Sequence, residues 1–537
     1  MTQPDHTFSR ATGRFPLGFA HEPQPRSIGS VEVGQRIAAG LLLFGGQRIE
    51  RTPAGPRLWD LPMGPAAQAE AQGMGWLDDL AAAGGIGARQ VAQAAVFGWI
   101  DRDEADGWPD ASPARDPALG GRRVLRWVHH AGFLTQHRRK EDQRRFAAAI
   151  RREIERLAQS APNAPAGPAR AEALAGLICG AAALEGARAL AGPAGVAMEG
   201  NVAALIGAEG VASRSPEDLL AAFEWLLWSA DALAMAGQMA GGEHLAALSR
   251  AARWLRGLRL ADGRLARFHG GGRGAAGRLD HALADSGLRI AGTAQAMGFV
   301  RLAAGRSTLV LDAAPPPATG DHAQASTLGF EMSFAGRMLV TSGGEGARFG
   351  PAWARAVRAT AMASAPGLAG LSAARARLAG GPLIERPGRV WLELGGDGHS
   401  VVAGHDGYGA SHGLAVVRSL TLADDGLRLE GADGFAPLPG QRPAPDALAE
   451  VRFHVPPEAQ VASQPESLAA TICLPATVPG RPDEIWIFQH DGSAELLLEP
   501  SAALEGEAEA PQPAVQIVLR APIADGHCRI GWVLARG

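Results

Sequence analysis

The sequence predicts an all-α domain followed by an all-β domain, the helices as stacked hairpins of a toroid and the strands as antiparallel hairpins. Three observations carry this. Helical periodicity runs from about residue 65 to 258, a glycine-rich stretch, "RFHGGGRGAAGR", follows, and after it the period is two. Taken in order, the units are an N-terminal segment 1–64, a helical domain 65–262, a connector 263–280 and a β-domain 281–537.

In the first half, "KEDQRRFAAAIRREIERLAQ" repeats apolar residues at Phe146, Ile150, Ile154 and Leu157, with charge on the other face. "SPEDLLAAFEWLLWSADALAMAG" does the same through Leu219, Phe223, Leu226 and Leu233. Its start is marked by Ser215 as N-cap, Pro216 at the first helical position and two acids in the first turn. "EHLAALSRAARWLRGL" is a third such helix, and "APNAPAGPAR" reads as a linker between two of them. No strict repeat is visible, so the common solenoid families are not indicated.

In the second half, "GFVRLAAGRSTLVLD" turns at Ala304-Gly305 and "LTLADDGLRLEG" at Asp425-Gly426. "LGFEMSFAGRMLV" alternates Leu328, Phe330, Met332 and Phe334 against Gly329, Glu331 and Ser333, and "EIWIFQHDGSAELLLE" turns at Asp491-Gly492.

Composition excludes several classes. The chain has 537 residues, 46% apolar and 20% charged, which suits a large globular core. A net charge of −4 gives no footprint for nucleic acid. Lys140 is the only lysine, so positive charge is almost all arginine, which also suits a GC-rich genome. Cys179, Cys473 and Cys528 have neither disulfide nor zinc-knuckle spacing. No apolar run is long enough to span a bilayer, and the N-terminus lacks a secretory pattern. The expected localisation is therefore cytoplasmic, with periplasm or envelope as the alternative. "GGGRG" lacks the flanking elements and the Lys-Ser/Thr of a phosphate loop, and neither GxSxG in an elbow context nor HExxH occurs.

The blocks "GMGWLDDL", "GRLARFHGGG", "HAQASTLGFEMSFAGRMLVTSGG", "WARAVRATAMAS" and "AGHDGYGASHGLAVVRSLTL" together resemble the heparinase II/III-like proteins, in a divergent alphaproteobacterial type. The resemblance runs from about residue 35 to the C-terminus. It implies an N-terminal (α/α) toroid followed by an antiparallel β-sandwich, and β-elimination on a uronate-containing acidic polysaccharide bound between them. That chemistry needs a donor or cation on the uronate carboxylate, a base for the C5 proton and an acid for the leaving oxygen. The residues that the resemblance offers for catalysis are His322 as base with His405 or Tyr408 as its partner. Arg214 or His269 would face the carboxylate, and Glu331 is a further substrate-binding candidate.

The chain departs from the family pattern at several of these places. His-x-His-x-Asp reads His322-Ala-Gln324-Ala-Ser326, the acid or Asn ending the next strand reads Thr341, and the histidine of a later block reads Ala363. Gln, Thr and Ala do not make a zinc site, so no metal and no other cofactor is expected. Arg-Asn-Pro reads Arg214-Ser215-Pro216, with Ser215 explained as a helix cap. Tyr408 is the only tyrosine, so no toroid tyrosine can act as acid. Its turn either overhangs the cleft or packs the ring on the sheet. The second expectation, of a different class, is a non-catalytic glycan-binding or envelope-associated protein that keeps the cleft without the chemistry.

Overall fold

The computed structural model describes residues 18–52, 57–377 and 380–537. The N-terminal stretch read above for a secretory pattern falls mostly on residues 1–17, outside the described residues. Helices occupy the first half from Val31–Ala38 to Arg278–Asp285, interrupted by one small hairpin, Leu41–Phe44 with Gln47–Glu50. Strands fill the rest, from Gln295–Ala296 to Cys528–Arg536. The two halves are the α/α toroid and the antiparallel β-sheet domain expected.

The periodic helices form as their patterns dictate. Lys140–Ser160 buries Phe146, Ile150, Ile154 and Leu157. Pro216–Met235 starts at Ser215, whose hydroxyl accepts the Asp218 N–H, with Glu217 and Asp218 in the first turn where the helix dipole favours them. Pro168–Ala183 is different: every residue from 171 to 183 is buried. Such a helix has no polar face for periodicity to show. It takes the centre of the toroid because its residues are small. Gly176 packs directly on the Gly121 backbone of helix Pro117–His129, and a Cβ at either place would overlap the backbone of the facing helix.

The β-domain holds three antiparallel sheets. Eight strands form the largest, in the spatial order Gln460–Gln464, Ala469–Leu474, Glu484–His490, Cys528–Arg536, Arg428–Pro437, Leu414–Leu422, Ser400–Tyr408 and Val390–Leu394. A four-stranded sheet follows the order Glu495–Ala503, Gln512–Pro522, Leu448–His454 and Pro366–Leu368. A five-stranded sheet runs in sequence order from Gln295–Ala296 to Arg337–Val340. One apolar core joins all three, including Leu309, Phe330, Val416, Val451, Phe453 and Trp532. Two predicted hairpin tips meet there: Gly305 and Gly426 each lie on the other turn's backbone, and the Ser307 hydroxyl donates to the Gly426 carbonyl at 2.6 Å.

The alternation read in Phe330–Phe334 is real, but both faces are buried. Its polar face is the domain junction. Ser333 accepts the Ala261 N–H at 2.7 Å, and Glu331 accepts from the Arg267 N–H at 2.9 Å and from its guanidinium at 3.1 Å. Arg267 continues to Glu505 at 2.7 Å and to the Ser342 carbonyl at 2.8 Å. Glu331 is thus a structural counter-charge, fully enclosed, and the substrate-binding role read for it does not follow from its position.

Candidate functional site in the cleft between toroid and sheet

Arg214 leaves the loop before helix Pro216–Met235 and crosses to the β-domain. Its guanidinium donates to Asp312 at 2.6 Å and to the Pro315 carbonyl at 2.7 Å, its Nε donates to the Met297 carbonyl at 2.9 Å, and its plane covers Phe299 at 4.7 Å. Asp312 ends strand Ser307–Asp312 and is completely buried. Its second oxygen accepts from the Ser326 hydroxyl at 2.8 Å and faces His269 Nε2 at 3.4 Å. Burial works against charge on Asp312, yet Arg214 and His269 hold its carboxyl well below the usual carboxylate range.

His269 is fixed on both sides. Its Nδ1 accepts the Gln324 N–H at 3.3 Å, and its Nε2 lies between Asp312 at 3.4 Å and the Arg214 guanidinium at 3.2 Å. Burial lowers its pKa, against the pull of Asp312. Gln324 returns the contact, its side-chain oxygen accepting the His269 N–H at 2.8 Å. Arg214 and His269 are therefore brought together as read, but by their own counter-charge. Neither presents a free donor to a uronate carboxylate.

His322 lies apart from this network on the surface. Its side chain is 59% exposed and stands 3.2 Å from Asp321. It leans over Gly270, where an added Cβ would come within 2.5 Å of the His322 Cβ. The glycine stretch continues past Ser215, which closes over Gly271, to Gly272, whose N–H donates to Glu217 at 2.6 Å. Glu217 and Glu345 flank Gly272 from the toroid and the β-domain, 3.2 and 3.4 Å from the position its Cβ would take. Burial, then repulsion from Glu217, push the Glu345 carboxyl up to about 8, with Arg348 opposing.

His405 and Tyr408 do not reach this cleft. His405 is 0% exposed in strand Ser400–Tyr408, accepts the Gly407 N–H on Nδ1 at 3.0 Å, and is held neutral by burial, with its pKa lowered to about 4. Tyr408 is 1% exposed and belongs to the apolar core of the β-domain. Burial pushes its phenol up to about 12. Its hydroxyl faces Thr360, whose own hydroxyl already donates to the Ala325 carbonyl and accepts the Ala373 N–H. The tight turn packs the ring on the sheet, so the catalytic roles read for His405 and Tyr408 are not available at these positions.

The residues at the family's metal positions do not fit zinc. The Gln324 oxygen is taken by the His269 N–H, the Ser326 hydroxyl by Asp312, and Ala363 has no donor. Among the described residues no group of three or more His, Cys, Asp or Glu is placed to hold a metal ion. Beside this place His454 bridges the Ser501 hydroxyl at 2.7 Å and the Ala361 carbonyl at 2.9 Å, and burial holds it neutral, at about 4.

Asp312, Glu345 and Arg267 were not singled out by the sequence reading. Asp312 left a trace, as the one acid closing the apolar strand "STLVLD". Glu345, between glycines in "GGEGAR", left none.

A helical toroid facing an antiparallel sheet domain is also the fold of solved heparinase structures. Residues 287–533 match the family described as "Heparinase II/III-like, C-terminal", and over this β-domain the chain is similar to the heparinase II/III-like proteins. Two solved lyase structures share the fold over nearly the whole chain. A structure titled heparinase III has a TM-score of 0.66 at 10% identity, covering 95% of this chain and 85% of that one. A mutant of the heparan sulfate lyase HepC from Pedobacter heparinus has a TM-score of 0.58 at 12% identity, covering 97% and 86%. In sequence, the chain is 29% identical over 354 residues to FtsZ-localized protein C of Caulobacter vibrioides (strain NA1000 / CB15N). The match takes in 62% of this chain and 59% of that relative, less than two thirds of its length. No described helix is long and apolar enough to cross a membrane.

Proposed function

We propose that this protein binds a glycan in the cleft between toroid and sheet and does not cleave it. The observation that carries this reading is the fate of the three groups that elimination needs. Of the residues read for those roles, only His322 is open to solvent. The carboxylate's partner, Arg214, is spent on buried Asp312, and the sole tyrosine is sealed in the sheet core. A base without an acid or a carboxylate-neutralising group leaves the C5 proton too weakly acidic to remove. The relative from Caulobacter supports a non-degradative reading in so far as its name records localisation with FtsZ rather than an activity. The lyase fold itself supports the choice of a glycan as the ligand.

Elimination leaves a conjugated unsaturated uronate that absorbs in the ultraviolet. We expect a flat absorbance trace with heparin, heparan sulfate and alginate at high concentrations of folded protein, and the same trace for His322→Ala. A rise in absorbance that vanishes in His322→Ala would overturn the proposal and make His322 the base of a lyase that works without the usual metal and tyrosine.

A further inference from the structure

Beside Glu345 the cleft deepens into a cavity of about 500 Å³, within the range of small-ligand sites. One wall is apolar, from Val33, Ile37, Leu43, Phe44 and Trp76 of the toroid. The other carries four arginines and four acids, and most of these charges are already committed. Arg36 donates to the Glu507 carbonyl and lies 3.7 Å from Glu509, and Arg48 lies 3.0 Å from Glu50. Arg122 closes on Glu172 with two bonds of 2.6 and 2.9 Å.

That leaves Arg348 opposite Glu70, Asp79 and Glu345. Among the described residues Arg348 closes no ion pair, and its Nε is buried without a hydrogen-bond partner. Among the described residues, Glu70 accepts only the Gly45 N–H, at 2.6 Å, and Asp79 only the Ser30 N–H, at 2.7 Å. Three carboxyls thus face Arg348, which closes an ion pair with none of them, and Arg122 beside Glu70 is already committed to Glu172. Their titration agrees with the geometry. Burial is the first cause for each, raising Glu70, bringing Asp79 to about 6 and Glu345 to about 8, and Arg348 opposes the shift in all three. The missing charge in this cavity is positive.

We propose that the cavity is a subsite for a protonated amino group of the bound glycan, an unsubstituted amino sugar held among Glu70, Asp79 and Glu345. This rests on the glycan-binding reading above and gives the ligand a chemical class. A uronate or sulfate would meet carboxylates here and is disfavoured. The ammonium supplies the counter-charge, the apolar wall receives the C–H face of the pyranose ring, and Arg348 Nε is a donor for a ring or hydroxyl oxygen. Binding also draws the proton from Glu345, because a cation beside a carboxyl favours its ionised form.

The test is isothermal titration calorimetry of the full chain at pH 7 with four probes: a glucosamine tetramer, its fully N-acetylated counterpart, a heparin tetrasaccharide and tetralysine. Two buffers of different ionisation enthalpy report the proton. The glucosamine tetramer is expected to bind at least about ten-fold tighter than the N-acetylated one. It should release a proton, and it should lose about ten-fold in affinity in Glu345→Gln. That variant keeps the side-chain shape, and an unfolding midpoint at or above that of the parent shows that it is folded. Equal affinity for the two tetramers, or binding of the heparin fragment alone, overturns the ammonium subsite while the glycan-binding reading stands. Tighter binding of tetralysine overturns the amino sugar in favour of a basic protein segment. No binding of any glycan sinks both.

Discussion

Two of the charged clusters between the toroid and the β-domain, those around Asp312 and Glu345, are built on opposite principles. Around Asp312, every charge has its partner: Arg214, His269 and Ser326 converge on one buried carboxylate, whose pKa falls. Around Glu345, like charges face one another across open space, and the carboxyl's pKa rises. A closed network of this kind holds two domains in one geometry. An open one stores unfavourable energy that a ligand of the right charge releases. The same interface therefore contains a closed network and an open one, and only the closed one coincides with the residues read for chemistry.

Asp312→Ala should have the largest effect. It leaves Arg214 buried without its counter-charge, which costs about 3–5 kcal/mol of stability. Urea unfolding checks this, and a loss below about 1 kcal/mol would mean that Asp312 does not hold the domains together. The double replacement Arg214→Met with Asp312→Leu should recover part of the loss, since burying neither charge is better than burying one.

Glu345→Gln should act in the opposite direction and depend on pH. Its folded carboxyl titrates near 8, against 4.5 for the ordinary group. Below 4.5 both folded and unfolded chains hold the proton and Glu345 is neutral in effect. As pH rises from there toward 8, the unfolded chain ionises more readily and the folded state loses stability. Glu345→Gln should therefore raise stability at pH 8 by on the order of 1 kcal/mol and leave it unchanged at pH 4, measured by denaturant titration at both. Asp312 has the reverse sign, its contribution being present above the ordinary carboxylate range and lost in acid. An equal effect of Glu345→Gln at both pH values would show that repulsion is not what sets the open cluster apart.

Tyr408→Phe should be the mildest change. The hydroxyl is buried without a well-formed hydrogen bond, so its loss should move stability by less than about 1 kcal/mol. Glycan affinity in the calorimetric test should not change. A loss of binding would mean that the loop after Asp406 opens and brings the ring to the cleft.

The fold was legible where side-chain pattern alone decides it. Caps such as Ser215, amphipathic helices such as Lys140–Ser160 and glycine turns such as Asp425-Gly426 are local, and they form as read. The site was less legible, because its character depends on what lies opposite each residue. Glu331 alternates as a solvent-facing strand residue would, yet the connector covers that face with Arg267. His405 and Tyr408 sit in a polar-looking stretch, "GHDGYGASHG", but the neighbouring strands enclose them. The mutual repulsion of Glu217 and Glu345 joins positions more than a hundred residues apart, and no spacing rule reports it.

The contact between Gly121 and Gly176 carries a consequence of a different kind, for how this chain can vary over time. Any replacement of either glycine inserts at least one carbon into the other helix's backbone. No single substitution at either place is then tolerated unless both helices separate, so the spacing of the inner wall is inherited as a unit. A side chain that faces solvent at the rim, as His322 does, is under no such restraint, although Gly270 and Gly271 beside it are closely packed. Residues at the rim can therefore change while the ring beneath keeps its dimensions.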